Sequence, residues 1–111
     1  MSLLSWIRRP VTVRQVAVWA VEVARRSHSE ISVRLQDSVY EMSLIEARGY
    51  VRARSAAVLD AEISQLRRQT GCSTDMAAAV RRRATEEIIR LVIGDILRAT
   101  RQAPMLLRRA A

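Results

Sequence analysis

Along residues 31–70 the apolar positions recur alternately four and three apart: Ile31, Leu35, Ser38, Met42, Ile45, Gly49, Arg52, Ala56, Leu59, Ile63, Leu66 and Thr70. Eight of these twelve are apolar, the spacing of a coiled-coil-like seam on a long helix packed lengthwise against another. Gly49 and Arg52 weaken its middle, and Gly49 is expected to allow close helix approach or a kink. Upstream, residues 11–26 are rich in valine and alternate locally, which fits a strand. A helix orders them better, because Arg14, Gln15, Glu22, Arg25 and Arg26 then fall on one arc. The complementary arc, with Val13, Val16, Trp19, Val21 and Val23, is expected to be largely buried. Glu22 and Arg26 are spaced as an i,i+4 ion pair.

The boundaries come from capping chemistry. Pro10 is expected to stop anything arriving from the N-terminus, with Thr12 as a cap. Ser27-x-x-Glu30 has the form of a capping box. The chain either breaks there or runs on into the long helix, since no Gly or Pro enforces an end. Gly71 is suited to a helix C′ position, and Ser73 and Thr74 to the N-cap of the next helix, with Asp75 in its first turn. Residues 75–102 place Ala77, Ala84, Ile88, Val92, Ile96 and Ala99 on one face, opposite Arg83, Glu86, Glu87, Arg90 and Arg101. Glu86–Arg90 and Arg83–Glu87 have i,i+4 spacing, and Pro104 is expected to end this helix. The pattern predicts a single all-α domain over residues 1–111: a long antiparallel helical hairpin, with an N-terminal helical segment broken from or continuous with its first helix. Residues 1–10 and 103–111 read as short terminal arms.

Composition supports the helices and narrows the chemistry. Three Gly and two Pro among 111 residues are too few for an all-β fold or a glycine-lined cofactor loop. All 19 basic residues are Arg, against 11 acids, for a net charge of +8. Residues 1–70 and 71–111 each carry +4, so the charge is no detachable tail. Such a balance implies an acidic partner: an acidic protein, nucleic acid or an anionic membrane surface. The single Cys72 forms no intrachain disulfide, and the cytoplasm is the expected compartment. The start MSLLSWIRRP lacks the basic-then-apolar order of a secretory leader, and no transmembrane segment is expected.

Catalytic chemistry has little to work with. His28 and Cys72 are the only imidazole and thiol, and no signature joins them. One His and one Cys do not furnish a four-ligand zinc site. Without Lys there is no P-loop, and the acids form no Glu-x-x-His unit. No enzyme activity, cofactor or metal is therefore expected.

What remains is surface. Arg48, Arg52, Arg54, Arg67, Arg68, Arg81, Arg82 and Arg83 are the candidates for polyanion contacts, read through phosphates rather than bases. They form no aromatic-interleaved basic patch of the kind a stacking platform needs. Leu3, Leu4, Trp6, Ile7, Leu106 and Leu107 set apolar side chains beside Arg pairs, as ordinary termini folded against the helices, or for a partner groove or a membrane interface. Val16, Trp19, Leu35, Met42, Ile88 and Val92 are candidates for packing within or between chains. The expected function is a noncatalytic structural or adaptor subunit of a homo-oligomer or larger complex. The alternatives are sequence-nonspecific nucleic-acid binding and peripheral membrane association.

Overall fold

The computed structural model describes the backbone over residues 2–110 and side chains over residues 13–101. Three α-helices account for nearly all of it: α1 (Ser2–Arg34), α2 (Leu44–Thr70) and α3 (Thr74–Ala110), with a 3₁₀ turn at Asp37–Glu41 between the first two. They pack as a bundle, without strands among the described residues. The valine-rich segment 11–26 is helical.

The α2–α3 connection follows from its capping residues. Gly71 adopts φ 67°, the left-handed conformation open to glycine, and its N–H reaches Arg67 O at 2.8 Å. Ser73 Oγ then accepts from Met76 N at 3.1 Å, capping α3, with Asp75 in its first turn. The two helices run antiparallel: Arg52 reaches Glu86, and Arg81 reaches Asp60 further along. His28 of α1 meets Asp95 of α3, while Val16 lies beside Ala79. Both numbers rise together, so α1 runs parallel to α3 and antiparallel to α2.

The break after α1 is not at Ser27–Glu30. Helix α1 continues through that segment to Arg34, and the chain turns at residues 35–43. Ser27 is buried with Ala20, Ala24 and Ile31 on the side of α1 that faces the bundle, so packing carries the helix past it. The effective cap signal is the third Ser-x-x-Glu of the chain, after Ser27–Glu30 and Ser38–Glu41. Ser43 Oγ accepts from Glu46 N at 3.2 Å and donates to Glu46 Oε1 at 2.9 Å. Tyr50 Oη accepts from Gln36 N at 3.0 Å, fastening the turn to α2.

This displaced break corrects the single seam. No helix spans 31–69, and the turn resets the helical phase. Ile31, Leu59 and Ile63 are buried as the spacing predicts, but Ile45 is 84% exposed, and Ser38, Gly49 and Arg52 also face out. Helix α2 instead buries Ala47, Val51, Ser55, Val58, Leu59 and Ile63. Within the bundle no neighbouring helix approaches Gly49 closely, since a Cβ there would meet nothing within 4 Å. Helix α3 follows its predicted face at Ala77, Ala84, Ile88 and Val92 and also buries Val80 and Ile89, because it packs on both other helices.

The backbone stays helical through Pro10 and Pro104. Neither ends its helix: proline's fixed φ is itself helical, and its cost is a lost N–H bond and local crowding. Thr12 accordingly lies inside α1 rather than at its start.

Candidate interaction surface

Two surfaces carry apolar groups that the bundle does not cover. The first is on α1. Val13 and Val21 are 64 and 53% exposed, a correction to the expectation that the wide apolar arc is buried, and Val18, on the polar arc, is 58% exposed. At about 100° per residue they lie within about 140° of arc, with Ala17, Arg14 and Arg25 among them. The bundle takes α1 through Ala20, Val23, Ala24 and Ile31; Val18 and Val21 turn away from that side, whereas Val13 shares the azimuth of Ile31, about five turns on, and lines a hollow beside Ala79. Two partner helices cover only part of a helix that is apolar over most of its circumference.

The second surface is the outer groove between α2 and α3. A hollow of about 490 Å³ lies among Leu44, Arg48, Ile89, Ile93 and Leu97. Another, of about 630 Å³, lies over Gly49, Ala53 and Ala56, with Arg52, Arg81 and Arg82 around it. Glu86 lines both, so they adjoin. Glu86 Oε1 accepts from Arg52 Nη2 at 3.0 Å, whereas Arg48 Nη2 is 4.0 Å from Glu86 Oε2, beyond hydrogen-bond reach. One carboxylate thus stands between two guanidinium groups.

The predicted arginines divide among different surroundings. Arg48, Arg52, Arg81 and Arg82 line the groove just described. Arg81 Nε donates to Asp60 Oδ1. Arg54 lies on another side of α2, its guanidinium 5.3 Å from the Tyr50 ring centroid in a cation–π contact. Arg67 and Arg68 sit in the last turn of α2, and Arg67 Nε points to Cys72 O at 3.5 Å. Arg68, Arg82 and Arg83 have no acidic partner among the described residues. The i,i+4 pairs expected on α3 do not form. Glu86 turns across to Arg52, and Glu87 accepts from Arg90 at 2.8 Å. The Glu22–Arg26 pair does form, at 2.9 Å, and Arg25 joins it at 2.6 Å. The Arg25 hydrogen bond, helped by Arg26, draws the Glu22 carboxyl from 4.5 to about 2.

The expected packing residues lie mostly within the chain. Ile88 and Val92 are buried, and Val16, Trp19 and Leu35 are partly buried against the core. Met42 is half-buried beside the 3₁₀ turn. The side chains of Leu3, Leu4, Trp6, Ile7, Leu106 and Leu107 lie outside the described residues. Leu44, Ile89, Ile93, Gly94 and Leu97 were not singled out from sequence. Their signal is the breadth of the apolar pattern on α3, where Ile89, Ile93 and Leu97 form a second line beside Ile88, Val92 and Ile96.

His28 and Cys72, the single imidazole and thiol of the chain, lie far apart. His28 Nε2 donates to Asp95 Oδ2 at 2.7 Å near one end of the bundle. Cys72 sits at the other, in the α2–α3 turn, with about 30 Å of α3 between the two levels. Among the described residues, no three His, Cys, Asp or Glu side chains gather as a metal site, and no helix is long and apolar enough to cross a membrane. Compared with protein-family models, curated proteins and solved structures, the chain matches none.

Proposed function

We propose that this chain is a noncatalytic helical subunit, structural or adaptor in role, which works by associating with copies of itself or with other protein chains. The observation that carries this reading is the surface of α1, where Val13, Val18 and Val21 stand more than half exposed on a helix that the bundle covers only in part.

Covering the three valines is worth on the order of 3 kcal/mol. Association itself costs an estimated ~4–15 kcal/mol, so a stable interface must extend beyond them. The test is light scattering on the chromatographed chain, with affinity capture of its partners by wild type and by Val18→Asp/Val21→Asp. Loss of a defined complex in the variant, with unchanged helicity, supports the reading. A compact monomer across a wide concentration range, with no specific partner, overturns it.

A sequence-independent nucleic-acid contact is the second reading, favoured by exposed Arg82 and Arg83 without acidic partners. It calls for binding that falls steeply with salt, because phosphate contacts release counterions. Fluorescence anisotropy with DNA and RNA at two salt concentrations separates it from the first reading.

A further inference from the structure

We infer that the groove between α2 and α3 seats an acidic amphipathic helix from a different protein. The inference rests on the assembly reading above and specifies the chemistry of one partner.

The groove has the dimensions of a helix seat. From Ala56 to Leu44 it follows α2 for about 18 Å, and from Arg81 to Leu97 it follows α3 for about 24 Å, room for three to four turns of a docked helix. Its floor is low where Gly49, Ala53 and Ala56 recur at i, i+4 and i+7, and nothing fills the space above Gly49. A helix laid there can approach closely, completing a four-helix arrangement. At the other end Leu44, Ile93 and Leu97 offer aliphatic contacts beside Glu87 and Arg90, which pair with each other at 2.8 Å. Nucleic-acid phosphates make no use of such an end.

Charge selects the partner. Arg48 and Arg52 face one carboxylate, Glu86, which hydrogen-bonds only Arg52. Arg82 has no acidic partner among the described residues. A partner carboxylate over Arg48 gains charge-assisted hydrogen bonds that Glu86 does not supply. A second copy of this chain does not fit that need. Its α1 valine face carries Arg14, and Arg25 paired with Glu22, and residues 1–12 and 102–111 contain Arg8, Arg9, Arg108 and Arg109 but no acid. None of these segments offers Arg48 a free carboxylate, and their guanidinium groups would repel it.

The test uses the full chain and fluorescence anisotropy with two dye-labelled helical peptides of about 20 residues. One has leucines at helical spacing flanked by Glu, and the other has Lys in place of each Glu. A labelled DNA duplex is the third probe. The Glu peptide is expected to bind, with the Lys peptide at least roughly tenfold weaker. Arg48→Glu and Gly49→Leu should each lower Glu-peptide affinity about tenfold. Gly49→Leu fills the floor while improving helix propensity, so its melting temperature should not fall and lost binding there is not lost folding. Binding of neither peptide, equal binding of both, or indifference to both substitutions overturns the inference. So does duplex DNA that displaces the Glu peptide and shows the same sensitivity to Gly49→Leu, which would make the groove a phosphate surface. A chain that fails these tests but forms a complex through its α1 valines loses the groove partner and keeps the assembly role.

Discussion

His28 of α1 donates from Nε2 to Oδ2 of Asp95 on α3 at 2.7 Å, and Asp95 turns its other oxygen to Arg98 one turn on. The carboxylate thereby ties together two parallel helices that no short loop joins. Sequence placed His28 in a candidate helix break. In the bundle it marks the level at which α1 is held to α3, and the helix runs on past it.

That pair should behave as a coupled unit. His28→Ala and Asp95→Ala are each expected to destabilise the chain, and the double variant should lose less than the sum of the two. Both side chains are partly exposed, so a coupling of about 0.2–1 kcal/mol is expected. Urea unfolding of the four proteins measures it, and full additivity would show that the contact contributes nothing.

Ser27 is fully buried, and its Oγ has no hydrogen-bond partner. Ser27→Ala removes a desolvated hydroxyl without leaving a large cavity and improves helix propensity. A gain of about 1 kcal/mol is expected, read as a higher urea midpoint at unchanged slope. A loss of stability would mean that the hydroxyl is satisfied in solution.

Ile45 and Leu59 share the four-three spacing but not the burial. Leu59→Asp sets an unpaired charge in the core and should cost more than about 3 kcal/mol, enough to abolish cooperative melting in a marginal domain. Ile45→Asp should change stability by about 0.5 kcal/mol or less, because Ile45 faces outward. Thermal unfolding followed by circular dichroism compares them. Equal damage from both would restore the uninterrupted seam.

Glu22 is held down to about 2 by Arg25 and Arg26, so it favours the folded state wherever the unfolded chain keeps it ionised. Its contribution is complete above about pH 4.5 and is lost as pH falls through about 2. The melting-temperature difference between wild type and Glu22→Gln should stay constant at neutral pH and close between those values. A difference that persists at pH 2 would assign the effect to packing.

Much of the fold is local and therefore legible along the chain. Gly71 and Ser73 mark the hairpin turn because a left-handed C′ position and an N-cap hydroxyl act within a few residues of backbone. The buried face of α3 is legible for a similar reason, since Ala77, Ala84, Ile88 and Val92 lie on a single unbroken helix. The break between α1 and α2 is not. Ser27-x-x-Glu30 and Ser43-x-x-Glu46 present the same local signal, and only the packing of Ile31 and Ser27 into the bundle tells them apart.

By itself, then, the sequence determined an all-α chain, its hairpin turn and the side of α3 that is buried, all set by hydrogen bonds and periodicity within one segment. Only the tertiary structure decided the phase of α2, the exposure of the α1 valines and the groove around Arg48 and Glu86. Those depend on which helix lies opposite each face. A residue on an apolar arc is buried only if another element reaches it, and two neighbouring helices do not encircle α1.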